Sequence, residues 1–509
     1  MREELKEIPE DQVEMKLLAG VPLAYAKGNL LMPISARDGE LVCAVSNEEG
    51  LFALRELSRE MSLKPRALWG SPELIAAAIN RYYGQLGSAE EVMEDLRGED
   101  LTSVATEFER PKDILELTGE APIIRLLNAL LKQALKERAS DIHIEPFEKE
   151  LEIRLRVDGV LRKILSPPKI IQDALVSRVK IMANLDIAER RLPQDGRIRL
   201  LIGGKDVDVR VSLMPTIHGE RAVLRLLDRR SGVISLGEIG MDRQSRDAFE
   251  DMLQRQNGII LVTGPTGSGK TTTLYAALNK VHTEQKNIVT IEDPVEYELK
   301  GIGQIQINPK VGLTFASGLR SILRQDPDII MVGEIRDLET AQIATQASLT
   351  GHLVLSTLHT NDAPSAITRL LDIGVEPFLL ASSLVGVLAQ RLVRLNCPSC
   401  SQPYDLPREY MEHVGDISGA KSFKKGRGCA ECGNTGYTGR AGIFELLLIT
   451  PEVRALITEK ADAKTIKDKA VTQGMRSLRE DGFMKVARGI TTPEEILRVT
   501  QKEYAGIQV

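Results

Sequence analysis

The stretch Gly264-Pro265-Thr266-Gly267-Ser268-Gly269-Lys270-Thr271-Thr272 contains the G-x-x-x-x-G-K-[ST] spacing of a phosphate-binding loop. An apolar run at 258–262 precedes it and predicts a strand, and the pattern after it predicts a helix. Glycines let backbone N–H groups surround phosphate oxygens, and the start of the helix adds partial positive charge. Lys270 can reach the outer phosphates, and the Thr271 hydroxyl can ligate Mg²⁺. The stretch therefore predicts a nucleoside triphosphate site rather than a glycine-rich turn that binds nothing.

The loop belongs to a region, 233–392, in which apolar strands alternate with helices. Strands are predicted at 259–262, 287–291, 329–332 and 353–357. Such alternation is typical of a parallel sheet covered on both faces, where ligands bind beyond the carboxyl ends of the strands. The fold class is therefore predicted to be α/β.

Polar residues beside those strands are candidates for the chemistry of the site. Nucleotide hydrolysis needs a carboxylate that holds Mg²⁺ or orients the attacking water. Glu334 follows an apolar strand where such an acid belongs, and Glu292 is a second candidate; either could instead cap a helix or form a surface ion pair. His352 and His359 are candidates for sensing the γ-phosphate or linking neighbouring elements, with a purely structural role as the alternative.

Composition and periodicity divide the rest of the chain into further parts. These are an N-terminal α/β module (1–85), an acidic linker (86–120), an α+β domain with an antiparallel sheet (121–232), a cysteine-bearing subdomain (393–445) and a helical C-terminal subdomain (446–509). Arg210 and Arg225 lie on predicted strands of the α+β domain. An arginine from another domain can neutralise charge at the γ-phosphate, although arginines on a strand face are also commonly just solvated.

Four cysteines form two C-x-x-C pairs, Cys397 with Cys400 and Cys429 with Cys432. Two such pairs supply the four thiolates of a closed, structural Zn²⁺ site. Disulfides are disfavoured because no secretion signal is evident, and a nucleic-acid-binding ribbon is the rival use of the cluster. The fifth cysteine, Cys43, sits in an apolar run and is interpreted as a buried small hydrophobe.

Composition narrows the classes of partner. The chain of 509 residues is 42% hydrophobic and 27% charged, with a net charge of −6, so no basic field is available to capture nucleic acid. The sequence shows no run of 18 or more apolar residues and no signal-peptide core near its first residue. It therefore predicts no nucleic-acid partner and no transmembrane span, so that any membrane role depends on a partner.

With these motifs in place, the chain resembles the ATPases of type II secretion, the general secretory pathway, within the larger family of secretion and type IV pilus ATPases. The resemblance covers about 120–505. Besides the phosphate loop and the four cysteines, it rests on segments 139–146 (ASDIHIEP), 156–159 (RVDG), 193–197 (PQDGR), 290–297, 333–337 and 351–361. In this family the last three are the Asp box, the Walker B motif and the His box.

The resemblance implies a PAS-like domain at 121–232 and a RecA-like ATPase domain, assembled as a homo-hexamer with ATP between domains. It matches Arg210 and Arg225 to arginines that approach the γ-phosphate, and leaves open which of Glu292 and Glu334 activates water. It implies that ATP hydrolysis drives pseudopilus assembly and protein export through inner-membrane platform proteins. Residues 1–85 resemble the module that docks a bitopic membrane protein, which would hold this cytoplasmic motor at the inner membrane.

Three other readings remain open on the sequence alone. A type IV pilus extension ATPase shares the core and can share the four cysteines. A nucleic-acid translocase is opposed by the acidic balance and by the lack of aromatic-basic clusters. A nucleotide-gated scaffold without catalysis is the third, and it predicts that Lys270→Ala and Glu334→Gln leave cell function intact.

Overall fold

The computed structural model describes residues 13–83 without 15–16, 19–20, 22 and 38, residues 122–228 without 203–204, and residues 234–500 without 409 and 411–422. The chain divides into two compact units, 1–230 and 231–509, which are described separately. The predicted linker, 86–120, lies outside the described residues, as does the predicted border at 232/233.

The N-terminal module is a three-stranded sheet with helices. Its elements are α1 (Leu23–Gly28), β1 (Leu31–Arg37), β2 (Glu40–Val45), α2 (Glu48–Glu60), β3 (Lys64–Trp69) and α3 (Pro72–Tyr83). β2 pairs antiparallel with β1 and parallel with β3. Cys43 is fully buried in β2, as predicted, and burial raises the pKa of its thiol to about 12. It is therefore a packing residue rather than a reactive thiol.

The second part of the first unit is an antiparallel sheet with helices on one face. Its elements are α4 (Pro122–Lys136), β4 (Ala139–Pro146), β5 (Leu151–Val157), β6 (Val160–Leu165), α5 (Gln172–Met182), β7 (Gln194–Ile202), β8 (Lys205–Thr216) and β9 (Gly219–Asp228). The strand order is β6-β5-β4-β9-β8-β7. One face of the sheet packs its aliphatic residues against the two helices. This is the α+β architecture expected of the predicted PAS-like domain.

The second unit is built on a seven-stranded sheet in the order β12-β11-β13-β14-β10-β15-β18. Its strands are β10 (Gly258–Thr263), β11 (Ile288–Glu292), β12 (Gly303–Gln306), β13 (Ile329–Val332), β14 (Leu353–Leu358), β15 (Leu384–Asn396) and β18 (Tyr437–Leu448). All neighbours are parallel except β15 and β18. The predicted α/β class and the four predicted strands are confirmed.

Helices cover both faces of this sheet and bury two apolar cores. They are α6 (Arg243–Leu253), α7 (Lys270–Val281), α8 (Phe315–Ile322), α9 (Leu338–Leu349), α10 (Ala363–Ile373) and α11 (Pro377–Ser383), followed by a C-terminal group, α12 (Pro451–Thr458), α13 (Ala463–Thr472), α14 (Leu478–Ala487) and α15 (Pro493–Thr500). In the described part of the chain, no helix combines the length and apolar character needed to cross a bilayer.

The cysteine region grows out of the sheet itself. β15 and β18 form a long antiparallel hairpin whose far end carries the short strands β16 (Ser401–Pro403) and β17 (Lys424–Gly426) and the four cysteines. The predicted borders at 392/393 and 445/446 therefore fall inside strands of the central sheet. Composition did not reveal this because both strands pass from a buried apolar half to a polar outer half.

Candidate active site and metal centre

The phosphate loop lies at the carboxyl end of the buried strand β10 and leads into α7. Gly264 and Gly269 have φ values of 151° and 89°, in a region that side chains disfavour. A Cβ on Gly264 would also lie 2.5 Å from the backbone oxygen of Gln390. Pro265, Thr266 and Gly267 are exposed at the tip, while Thr271 and Thr272 are half-buried in the first helical turn. The loop thus has an open face toward solvent and a closed face against β15.

Lys270 is buried at the base of the loop. Its Nζ atom donates to the backbone oxygens of Gly264 (2.8 Å) and Pro265 (3.2 Å) and lies 3.4 Å from Nδ1 of His359. Burial lowers the pKa of Lys270 to about 8, and the nearby Arg391 adds to this effect while Glu334 opposes it. Holding an ammonium group with neutral carbonyls prepares it to exchange those partners for phosphate oxygens.

Glu334 lies two residues beyond β13 and faces the same base. Its carboxylate pairs with Nη2 of Arg336 at 2.5 Å and with Nε2 of His359 at 3.2 Å. Since Nδ1 of His359 receives a lysine N–H, the ring donates to Glu334 through Nε2. The structure therefore brings Lys270, His359 and Glu334 into one chain of contacts.

Glu292, the last residue of β11, lies in a different environment. Its carboxylate is 3% exposed and accepts hydrogen bonds from Thr290 (2.5 Å), from Gln304 (3.2 Å) and, at a shorter distance, from Tyr275. Burial raises its pKa above the ordinary value, although the three donors oppose the shift. All three of these donors are neutral. In this conformation the side chain is occupied by structural partners.

His352 is not brought to the loop. It precedes β14, and its backbone oxygen accepts from the N–H of Gly258, the first residue of β10. It therefore lies at the amino ends of the strands, a strand length of roughly 17–20 Å from the phosphate loop at their carboxyl ends. Its Nδ1 atom bonds to the backbone oxygen of Ala347 at 2.9 Å, at the end of α9. Of the two roles predicted for this histidine, the geometry favours linking elements over sensing phosphate.

Two residues that sequence reasoning missed, Gln390 and Arg391, are buried in β15 beside the loop. Gln390 bonds to the loop itself, with its Nε2 atom 2.6 Å from the backbone oxygen of Ser268. Nη2 of Arg391 donates to the backbone oxygen of Asn361, in the segment that also carries His359. The available signal was an adjacent polar pair interrupting the apolar run 384–393.

Arg210 and Arg225 lie in the other unit, opposite each other on β8 and β9. Directly paired residues share one face of a sheet, and this face is the one away from the apolar core. Nε of Arg225 donates to Oδ1 of the buried Asp141 at 2.9 Å. Arg197 is also paired with Arg210 in register and bonds to both oxygens of Asp208. Arg225 and Arg197 are thus held by buried carboxylates, and Arg210 lies between them in register on the same face of the sheet.

The four predicted metal ligands converge at the end of the β15–β18 hairpin. Their Sγ atoms all lie within 4.8 Å of one another, with separations of 3.8 Å for Cys397 and Cys429, 3.9 Å for Cys400 and Cys432, and 3.7 Å for Cys429 and Cys432. Tetrahedral Zn–S bonds of about 2.3 Å place sulfurs about 3.8 Å apart. The cluster therefore fits Zn²⁺, with no ligand position left open.

The backbone around the cluster prepares it for a cation. Burial by itself would raise the pKa of Cys432, but backbone N–H groups of Cys429 and Gly436, each 3.2 Å from its sulfur, lower it to about 6 together with the thiols of Cys429 and Cys400. N–H donors aimed at sulfur stabilise the thiolate form that a metal ligand requires.

Comparison with known proteins fits this arrangement of loop, acids and cysteines. Residues 116–498 match the family described as Type II/IV secretion system protein. The chain belongs to this type II/IV secretion family. Residues 3–89 match the MshEN domain, which covers the N-terminal module.

Relatives within the type II/IV secretion family are similar along most of their length. Type II secretion system protein E of Pseudomonas aeruginosa is 52% identical over 487 residues, 95% of this chain and 96% of that protein. Type II secretion system ATPase E of Vibrio cholerae is 54% identical over 424 residues, 83% and 84% of the two chains. The fold is shared with the Legionella pneumophila ATPase DotB (22% identity, TM-score 0.55, 77% and 98% coverage).

Family membership confirms two predictions made from the sequence. The resemblance to secretion ATPases is confirmed by the family match and by the relatives. The chain is a P-loop ATPase of the secretion family, for which ATP and Mg²⁺ are the implied ligands. Oxygen donors for Mg²⁺ are present at the loop in the Thr271 hydroxyl and the Glu334 carboxylate.

Proposed function

We propose that this protein hydrolyses ATP to ADP and phosphate in order to drive pseudopilus assembly and protein export by a type II secretion system. The observation that carries the proposal is the chain of contacts from Lys270 through His359 to Glu334 at the base of the phosphate loop. The assignment to type II secretion is supported by the names of relatives that are about half identical to this chain in sequence.

Each site residue has a role in this proposal. Residues 264–272 hold the phosphates, with Lys270 on the outer ones and Thr271 on Mg²⁺. Glu334 orients the attacking water, and His359 links it to the loop. Glu292 joins the reaction only after it leaves its three hydrogen-bond donors. When bound, Mg²⁺ would supply positive charge to the phosphates.

We further propose that the working form is a homo-hexamer in which Arg210 and Arg225 complete the ATP site. A carboxylate partner such as Asp141 holds Arg225 in one orientation, which reduces the entropy lost when the arginine meets a phosphate. Stimulation of ATP turnover on oligomerisation, lost in Arg225→Ala, is the expected result.

The division given above is proposed as the functional organisation, with the cysteine region joined to the ATPase domain through β15 and β18 rather than separated at 392/393 and 445/446. Residues 1–85 would dock a bitopic platform protein, and so hold the chain peripherally on the cytoplasmic face of the inner membrane. We expect residues 1–85 not to be needed for ATP binding, because the loop lies in the second unit and the two proposed arginines lie on β8 and β9, outside 1–85.

Zinc is proposed for Cys397, Cys400, Cys429 and Cys432. Metal analysis of the purified protein should find about one zinc per chain, and Cys429→Ser should lose most of it. Cys43→Ser is the matched control, because Cys43 is buried in the N-terminal module. Equal zinc content in wild type and Cys429→Ser would contradict the assignment.

The function is tested by complementation in the source organism lacking this gene. Wild type, Lys270→Ala and Glu334→Gln are compared for export of a secreted enzyme and, in parallel, for assembly of surface pili. We expect both variants to lose export and leave pili unchanged. Loss of pili with intact export would instead identify a type IV pilus extension ATPase, and intact export in both variants would leave only a scaffold role.

A further inference from the structure

Gln390 is a buried amide that contacts the phosphate loop from the side away from solvent. It is 1% exposed and lies on β15, the neighbour of β10 in the sheet. Its Nε2 atom donates to the backbone oxygen of Ser268 at 2.6 Å, and its Oε1 atom accepts from the hydroxyl of Thr273 at 2.8 Å. Because a carbonyl oxygen only accepts, the Ser268 contact fixes which end of the amide is nitrogen.

The bond to Ser268 has a consequence for the anion site. In a trans peptide the C=O of one residue and the N–H of the next point in opposite directions. With the Ser268 carbonyl turned toward β15, the N–H of Gly269 points to the open side of the loop. This N–H is one of the donors that a phosphate-binding loop directs at its ligand.

The other end of the amide connects the loop to the helix. Thr273 lies in the first turn of α7, four residues after Gly269, and its backbone N–H bonds to the Gly269 oxygen at 3.0 Å. Gln390 therefore joins the last residues of the loop to the first turn of the helix through a single planar group. A Cβ on Gly269 would lie 2.9 Å from Nε2 of Gln390, so a side chain at this position would displace the amide.

We propose that Gln390 is a positioning residue that sets the conformation of the phosphate loop, and so its affinity for the β- and γ-phosphates of ATP. The inference rests on the proposal that residues 264–272 hold ATP. Loss of the amide leaves the Ser268 carbonyl free to rotate and its buried oxygen without this donor. The energy of one buried hydrogen bond corresponds to a loss in ATP affinity of about tenfold.

The test compares Gln390→Met and Gln390→Glu in the full-length protein. Methionine has a similar length but removes both hydrogen bonds. Glutamate can still accept from Thr273, but it cannot donate to Ser268 and it adds negative charge behind the loop. The Kd for ATP is measured by calorimetry at one salt concentration and well below the Tm of each variant. We expect Kd to rise about tenfold for Gln390→Met, and further for Gln390→Glu.

Matched controls separate positioning from general damage. Gln346→Met and Gln346→Glu make the same changes on the exposed face of α9, and should leave Kd unchanged. Thr273→Val removes the other hydrogen bond and should weaken ATP binding in the same direction, whereas Thr273→Ser should restore it. In steady-state assays KM should rise more than kcat falls, because the loop contacts are made before the transition state.

Two results would overturn the inference. If Gln390→Met and Gln390→Glu are folded and bind ATP within twofold of wild type, Gln390 only fills space. A lower Tm with unchanged Kd in Thr273→Val would lead to the same conclusion. Failure of the wild-type protein to bind ATP would instead refute the proposed function, and with it the basis of the inference.

Discussion

Glu292 and Glu334 end neighbouring strands of one parallel sheet, yet their carboxylates have opposite surroundings. Glu292 is held by Tyr275, Thr290 and Gln304, all of them neutral donors. Glu334 is half-buried, pairs with the guanidinium of Arg336 and accepts from the ring of His359. Both residues fit the sequence pattern of an acid at a strand end, so the sequence does not separate them.

The difference shows how the environment assigns roles to two similar acids. Neutral donors satisfy the lone pairs of Glu292 but do not offset the free-energy cost of burying its charge. This cost raises the pKa of Glu292. The Arg336 guanidinium instead offsets the charge of Glu334, and the His359 ring connects Glu334 to Lys270. In this conformation Glu334 is poised at the phosphate loop, and Glu292 must exchange three hydrogen bonds before it can reach water.

The largest expected effect comes from neutralising each acid in turn. Glu334→Gln should lower kcat by about 100-fold or more, the size expected for a group that positions or activates water. Glu292→Gln should lower kcat by a clearly smaller factor, because the amide oxygen keeps one of the two hydroxyl donors, and the other hydroxyl can turn to accept from the amide nitrogen. Both are measured as steady-state phosphate release by the assembled protein.

Thermal stability provides the control for this comparison. Because the pKa of Glu292 is raised in the folded state, its ionisation above the ordinary carboxyl pKa lowers stability, and Glu292→Gln removes that cost. Its Tm at neutral pH should therefore equal or exceed that of wild type. An equal or larger loss of kcat in Glu292→Gln would show that Glu292 leaves its donors during turnover and is the principal acid.

The second-largest expected effect is a pH dependence of ATP binding, which involves Lys270 and Glu334 but not Glu292. Lys270 has a pKa lowered to about 8, so its ammonium form is lost as pH rises through that value in the nucleotide-free protein. Bound phosphate favours the charged form. ATP binding at about pH 9 should therefore take up a proton, and Kd should rise up to about tenfold per pH unit above 8.

Calorimetry in buffers of different ionisation enthalpy measures this proton uptake. Lys270→Arg is the control, because arginine stays charged and should show none. Glu334→Gln should move the pH range of proton uptake to lower values, since Glu334 raises the pKa of Lys270. Glu292→Gln should leave that pH range unchanged. Absence of proton uptake by wild type at about pH 9 would show that Lys270 is not the titrating group.

The sequence predicted the parts of this site that follow from local pattern. Buried parallel strands are continuous apolar runs, so β10, β13 and β14 were evident, and the phosphate loop has fixed spacing. β15 was missed because Gln390 and Arg391 interrupt its apolar run. β4 was missed for a related reason, because Asp141, His143 and Glu145 alternate with its apolar residues. These polar side chains are nevertheless buried, and Glu145 and Asp141 pair with arginines of β9.

Roles that depend on distant residues were beyond the reach of local pattern. The donors to Glu292 come from α7, β11 and β12, and only the folded sheet brings Tyr275 and Gln304 together. His352 and His359 are seven positions apart and flank one strand, so sequence placed them in one motif. Because they flank β14 at its amino and carboxyl ends, the strand places them on opposite ends of the sheet.

The third prediction tests the donors around Glu292. Tyr275→Phe removes one hydrogen bond to a buried carboxylate while keeping the ring that contacts Tyr297. We expect a stability loss of about 1–3 kcal/mol, seen as a Tm lower by a few degrees. In the Glu292→Gln background the same change should cost less, because the acceptor is neutral. Equal losses in both backgrounds would mean that the tyrosine hydroxyl does not stabilise the carboxylate.

The smallest expected effect separates the two histidines. His352→Gln removes a hydrogen bond to Ala347 at the amino edge of the sheet and should cost about 1 kcal/mol of stability, with KM for ATP unchanged. His359→Gln lies on the link between Lys270 and Glu334 and should change KM and kcat with little effect on Tm. Steady-state assays of the isolated protein, combined with thermal melts, distinguish the two outcomes. If His352→Gln impaired turnover as much as His359→Gln, coupling across the full length of β14 would be required, and the assignment of His352 to a linking role would be wrong.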